Sequence, residues 1–366
     1  MRPLDEVTPE CVLQARRDRA AGSKTPSARS GTPDPPTTVG PGPSADRARL
    51  ERDGGGARIG DHGSMSELRP PRFEGAFHLR DGRDLGYAEY GPSTGRPLVW
   101  FHGTPGARRQ IAPRARQLAD ERNVRILAIE RPGIGASTPH AYASVREWAE
   151  DIEQFCNAKE IDRFAVAGLS GGGPYALSCA HRMPARVVAA AILGGVAPSV
   201  GEDAAEGGVS PLVRLAPDLL LRMRSPVGNV LMRLIRVLEP WSDEAVDAFA
   251  RFMPEGDREV FRDPAMRQMF IEDLQRGARR QMQALVHDAS LFGRHWGFAL
   301  AEIEVPVHLW YGDADNIVPV EHGEHLAERI PGAVFKRRPG EGHLGGLGAA
   351  EELIDAMLGH WDERSG

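Results

Sequence analysis

The stretch Val166-Ala167-Gly168-Leu169-Ser170-Gly171-Gly172-Gly173 sets one hydroxyl among glycines, after an apolar run and before helical spacing. A serine nucleophile needs its hydroxyl exposed on a sharp strand-to-helix turn. Glycines on either side permit the strained backbone and let the following helix pack close to the sheet. Gly91-Pro92-Ser93-Thr94-Gly95 fits the same loose spacing. Ser93, however, opens no helix and runs almost directly into another strand pattern. Ser170 is therefore the candidate nucleophile.

Such a serine works only beside a base that is itself held in place. His343 lies in Gly340-Glu341-Gly342-His343-Leu344-Gly345-Gly346, whose glycines leave a loop free to carry an imidazole. His322, His325 and His360 sit on helical stretches and read as surface residues. The turn Gly312-Asp313-Ala314-Asp315-Asn316-Ile317-Val318-Pro319 offers two carboxylates. Their mutual repulsion implies that one of them points to solvent; Asp313 can also be a turn residue bonded to its own backbone. Charge developing on a carbonyl oxygen needs two backbone N–H groups. Gly171 supplies one. Thr104, in Phe101-His102-Gly103-Thr104-Pro105-Gly106, is the candidate for the other, because Pro105 has no N–H. His102 is expected to shape that loop.

The elements that must position these groups follow from the pattern. Residues 77–80 and 85–90 alternate around Asp81-Gly82 as a hairpin does. Short apolar strands are expected at 97–101, 124–129, 164–168, within 187–196, at 305–311 and at 333–336. Helical spacing fills 107–121, 144–158, 171–183, 320–330 and 349–361. Strands alternating with helices predict a mostly parallel sheet covered on both faces. Residues 199–299 break the rhythm with helical spacing alone, as at Leu215, Leu219, Leu220 and Met223, then Val230, Leu231, Leu234, Val237 and Leu238. This reads as a helical cap over the strand ends, where open α/β sheets bind ligands. The core is then 65–198 plus 300–366.

Composition narrows the class. The 366 residues carry a net charge of −6, with no clustered basic footprint for nucleic acid. Cys11, Cys156 and Cys179 form no CxxC pair and no zinc pattern, which fits a reducing, cytoplasmic setting. The first residues lack the apolar segment of a signal peptide. The longest apolar run, 187–196, is too short to span a membrane. Residues 1–64, rich in Pro, Gly, Ser and Arg, are expected to be disordered; Met65, where patterned sequence begins, is a candidate start.

Five ordered blocks resemble the α/β-hydrolase superfamily over about residues 75–362. They are His102-Gly103-Thr104-Pro105-Gly106, Glu130-Arg131-Pro132-Gly133-Ile134-Gly135-Ala136-Ser137, the Ser170 turn, Gly312 to Pro319, and Gly342-His343. The resemblance implies an eight-stranded sheet with a helical cap, and a triad in the chain order serine, acid, histidine. The family pattern Gly-x-x-Asp-x-x-Val-Pro aligns its acid with Asp315 and not Asp313. Glu130, where the family usually has aspartate, is read as structural. A serine at the turn argues against the family's dehalogenases and epoxide hydrolases, whose nucleophile is aspartate. The family's proline iminopeptidases resemble the His102–Gly106 loop but usually carry Trp where this chain has Gly171. Esterases with their acid one strand earlier do not fit, since Leu193-Gly194-Gly195-Val196-Ala197 lacks a carboxylate.

The expectation is a serine hydrolase of a small, apolar acyl substrate, acting through Ser170, Asp315 and His343 as a monomer or homodimer. The chemistry requires no metal or organic cofactor. Some of Met223, Met232, Trp241, Phe249, Phe252, Phe270, Met282, Phe292 and Trp296 should line the acyl pocket. Acyl transfer, perhydrolysis and carbon–carbon bond hydrolysis use the same triad and stay open. So does the other class, a ligand-binding homologue without turnover.

Overall fold

Strands apolar on both faces must be covered on both faces, and the helices between them do this. The computed structural model describes residues 68–206, 217–251 and 253–363. Residues 1–64, Met65, Cys11 and Leu215, on which expectations were placed, lie outside them. Eight strands form one sheet: β1 Phe73–His78, β2 Asp84–Tyr90, β3 Arg96–Phe101, β4 Val124–Ile129, β5 Phe164–Leu169, β6 Val187–Leu193, β7 Val307–Gly312 and β8 Val334–Arg338. Their order is β1-β2-β4-β3-β5-β6-β7-β8, and only β2 runs against its neighbours. The chain reverses its direction of winding between β3 and β5, which opens a crevice at their carboxyl ends. Phe101 pairs with both Ile129 and Gly168, and Leu193 with Leu169 and Trp310, so β3 to β7 end level along one edge.

The helices are α1 Pro113–Glu121, α2 Trp148–Ala158, α3 Gly173–Arg182, α4 Pro217–Leu238, α5 Ser242–Ala250, α6 Glu255–Arg262, α7 Pro264–Gly277, α8 Ala284–Phe292, α9 Glu321–Arg329 and α10 Ala350–Glu363. Side chains alternate across β3. Val99 and Phe101 join the core under α2, α3 and α9, while Leu98 and Trp100 join the core under α1 and α10. Helices α4 to α8 all lie between β6 and β7.

Several boundaries differ from the sequence expectation. The first helix starts at Pro113, whose fixed φ and missing N–H suit a first helical position; residues 107–112 stay outside it as loop. The apolar run from 187 stops being strand at Leu193, because Gly194 turns the chain with φ +55°. His322 is no surface residue. It is 5% exposed, and its Nδ1 accepts the Ala197 N–H at 3.0 Å.

Candidate active site

Ser170 follows β5 directly and has φ +51°, a left-handed conformation that costs a non-glycine residue about 1–3 kcal/mol. Tight packing forces it. A Cβ on Gly168 would stand 2.3 Å from the Gly172 carbonyl oxygen, so the chain must turn there between small residues. The serine is buried and lines a cavity of about 370 Å³, which His343 also lines.

His343 lies beyond β8, in the glycine loop. Its Nδ1 stands 2.7 Å from Asp315 Oδ2. Asp315 follows β7 and is buried. Its Oδ1 accepts the N–H groups of Ile317 (2.8 Å) and Val318 (2.9 Å), which fixes the carboxylate. A carboxylate at Nδ1 selects the tautomer with its proton there and leaves the Nε2 lone pair free. Asp313 is exposed, and its Oδ1 accepts the Gly340 N–H at 2.7 Å, so it ties the two loops together and does not cap its own turn.

Thr104 and Gly171 are neighbours across the crevice: a Cβ on Gly171 would lie 2.3 Å from Thr104 Oγ1. The Gly103 N–H is taken by Gln110 Oε1 at 2.6 Å. Among the described residues, nothing accepts from the Thr104 N–H. His102 is buried. Burial, with the Arg131 charge beside it, lowers its pKa well below the ordinary value and keeps it neutral. Its Nε2 accepts the Arg131 N–H at 3.3 Å and its Nδ1 meets the Gly103 carbonyl at 2.8 Å, so the ring braces the loop. Glu130 is also buried, paired with Arg108 and accepting the Ala136 N–H at 2.7 Å.

Three carboxylates that the sequence reading passed over come from helices α6, α7 and α8, and each holds a loop of the site. Asp257 of α6 is fully buried. It accepts the N–H of His343 (2.9 Å) and of Leu344 (2.7 Å). Gly342 must be glycine here, since a Cβ would meet the Asp257 carboxylate at 2.5 Å. Asp273 of α7 accepts the N–H of Ala107 and of Arg109, both at 2.8 Å, just after the Thr104 loop. Burial pushes its carboxyl up to about 7 against those bonds. Asp288 of α8 accepts from Thr104 Oγ1 (2.7 Å), Tyr175 OH (2.7 Å) and Arg131 Nε (2.9 Å). Burial opposes its charge, but the Arg131 guanidinium and its hydrogen bonds win and hold it below the usual carboxylate range. Arg131 also donates to the carbonyls of His102 and Gly103. Asp288 had a visible sign, an acid inside the apolar run of α8; Asp257 had none.

The cavity wall is largely apolar, with Leu169, Ile235, Leu238, Val246, Phe261 and Phe270 among its residues. Of the aromatic and methionine residues expected there, Phe270 is present. Met223 is instead 43% exposed, and Met282 and Trp296 are buried in packing away from the cavity wall. The Trp241, Phe249 and Phe252 side chains lie outside the described residues.

A level-edged eight-stranded sheet, a left-handed serine after its fifth strand and a carboxylate–imidazole pair beside the same cavity define an α/β-hydrolase architecture. The sequence profile of the family described as alpha/beta hydrolase fold matches residues 96–349, and the chain belongs to that family. Among curated relatives, the probable proline iminopeptidase of Leptolyngbya boryana is 34% identical over 130 residues, 33% of this chain and 39% of that one. The first curated relatives are matched over only about a third to a half of their length. The probable proline iminopeptidase of Streptomyces coelicolor is 28% identical over 305 residues, 76% of this chain and 84% of the relative. Among solved structures, a bromoperoxidase from Bacillus anthracis aligns with TM-score 0.58 at 20% identity, covering 79% of this chain and all of that one, a likeness of fold.

Proposed function

We propose that this hydrolase cleaves an apolar carboxylic ester through an acyl-enzyme, with Ser170 as nucleophile, His343 as base and Asp315 as its orienting acid. The observation that carries the reading is the 2.7 Å bond from Asp315 to His343 Nδ1 beside the apolar cavity that both His343 and Ser170 line. His343 Nε2 takes the Ser170 proton as Oγ attacks the carbonyl carbon. The N–H groups of Thr104 and Gly171 hold the oxyanion. The leaving alcohol departs with the proton from His343, and a water activated the same way releases the acid. Helices α4 to α8 act as the cap that shapes the acyl pocket.

An ester is favoured over an aminoacyl amide by the cavity's charges. Asp273 spends both carboxylate oxygens on backbone N–H groups, which leaves no free buried acid on the wall among the described residues for an ammonium. Peptide-bond cleavage is the second reading. The names of the relatives and the exposed Glu239 at the cavity wall support it.

The test pairs short p-nitrophenyl esters with proline p-nitroanilide. Esters should turn over faster, and Ser170→Ala should lower ester turnover by roughly 10⁴-fold or more. Unchanged ester hydrolysis by that variant removes the nucleophile. Faster anilide cleavage selects the peptidase reading. Failure of a fluorophosphonate probe to label Ser170 would mark a binding protein, and product analysis with competing alcohol or peroxide would reveal acyl transfer.

A further inference from the structure

Helix α4 turns an apolar face outward. Leu219, Met223, Val227, Val230, Leu234 and Val237 recur every three or four residues, so they share one stripe. Leu219 is 60% exposed, Val230 65% and Val237 64%. The stripe runs about 27 Å at 1.5 Å per residue. Isolated exposed leucines need no explanation, but a continuous stripe of this size does. The opposite side of the helix is packed: Leu231, Met232 and Ile235 lie against the cluster of Ile134, Ala278 and Met282.

The charges beside the stripe choose the partner. Between Asp218 and Glu239 the helix carries four arginines and no carboxylate, in a chain whose net charge is −6. On a helical projection Arg222, Arg233 and Arg236 form a row along one edge of the stripe, and Arg224 stands at the other. All three of the row are exposed, and among the described residues none is paired with a carboxylate. Arg279 and Arg280, also exposed, extend the row where Arg236 donates to the Arg279 carbonyl. A second copy presenting this face would bring only apolar side chains and more guanidinium groups. Residues 1–64 hold few large apolar residues to cover it. An apolar stripe edged by arginines matches a lipid surface with anionic headgroups: the side chains enter the acyl boundary and the guanidiniums meet the phosphates.

We propose that the outer face of α4 is a docking surface for an anionic lipid layer. The helix lies on the layer and does not cross it; no helix among the described residues is long and apolar enough for that. The same helix gives Ile235 and Leu238 to the cavity wall, and Leu238 is 40% exposed at its rim. Docking therefore sets the cavity beside the lipid phase in which an apolar ester dissolves. That consequence rests on the ester reading above, whereas docking itself does not.

The test is co-sedimentation of the full chain with vesicles of phosphatidylcholine alone and of phosphatidylcholine with phosphatidylglycerol. Binding is expected on the mixed vesicles and should weaken with salt. Replacing Arg222, Arg233 and Arg236 with Gln should weaken it by roughly a hundred-fold. Replacing Leu219, Val230 and Leu234 with Gln should abolish it, with the thermal melt and the turnover of a soluble short ester unchanged. Equal binding to both vesicles, or binding to neither, overturns the proposal. So does a dimer in sedimentation velocity that the three apolar replacements disperse, since a second copy then covers the face. Vesicle binding is read without substrate, so its failure stays separate from failure of the hydrolase reading.

Discussion

Asp257 reaches from α6 to the backbone that carries His343, the proposed base, so its removal tests whether the inserted helices are part of the proposed machinery. In Asp257→Ala the N–H groups of His343 and Leu344 lose both carboxylate oxygens in a fully buried place. An unsatisfied buried donor costs about 1–3 kcal/mol, so the two together cost about 2–6 kcal/mol. The glycines around His343 make that loop the cheapest thing to move, and movement carries the imidazole away from Ser170. If only the lower figure falls on the productive geometry, kcat drops roughly 30-fold. KM should change less, since Asp257 is not on the cavity wall. Asp257→Asn keeps one acceptor and should recover part of the loss. The assay is steady-state turnover of a short p-nitrophenyl ester beside a thermal melt. A folded Asp257→Ala variant with wild-type kcat refutes the reasoning, and so does a loss confined to the melt.

Three further outcomes follow from the same geometry. Arg131→Met leaves the Asp288 charge buried and unpaired, and should cost about 3–5 kcal/mol in urea unfolding; a change under 1 kcal/mol would count against the network. Asp273, pushed up to about 7 by burial, keeps a proton in the folded chain that the unfolded chain releases near its ordinary value. The unfolded state then binds fewer protons, so this group's contribution to stability falls as pH rises from about 4 to 7. Asp273→Asn should flatten that part of the melting-temperature profile, and an unchanged slope would show the carboxyl to be ionised throughout. Leu238→Trp narrows the cavity at its rim and should shift ester preference toward shorter acyl chains, read from kcat/KM across a chain-length series; an unmoved preference would place the acyl group elsewhere.

The sheet was legible because its strands obey a simple rule: buried on both faces, they read as apolar runs of strand length between turn residues. Ser170 was legible for a local reason, a crowd of glycines that only a tight turn explains. Asp315 needed the family pattern, because two carboxylates two residues apart look alike until the fold buries one and exposes the other. The roles of Asp257 and Asp273 were beyond reach. An acid on an amphipathic helix ordinarily faces water, and nothing local says that a loop 86 to 166 residues away will bring its N–H groups to it. The outward turn of the α4 stripe was not legible either. Its helical period was visible, but periodicity cannot tell a face turned to the core from one turned outward.

Helices α4 to α8 do more than line the cavity. A lid needs only to cover the cavity and exclude water, and apolar packing could do both. This insertion instead places one buried carboxylate on each of three loops: Asp257 on the His343 loop, Asp273 on the chain after Thr104, and Asp288 on Thr104 and Arg131. Apolar contacts tolerate sliding, whereas a carboxylate bonded to two or three donors fixes a loop to within a hydrogen bond's reach. The desolvation visible in the raised carboxyls of Asp257 and Asp273 is the cost of that fixing. The insertion therefore carries two sets of side chains. Its apolar ones, Ile235, Leu238, Val246, Phe261 and Phe270, line the cavity, and its α6 to α8 carboxylates hold the loops of His343 and Thr104. Variation in the first set is expected to change the substrate while leaving the chemistry intact, whereas variation at Asp257 or Asp288, neither of them on the cavity wall, is expected to act on every substrate alike.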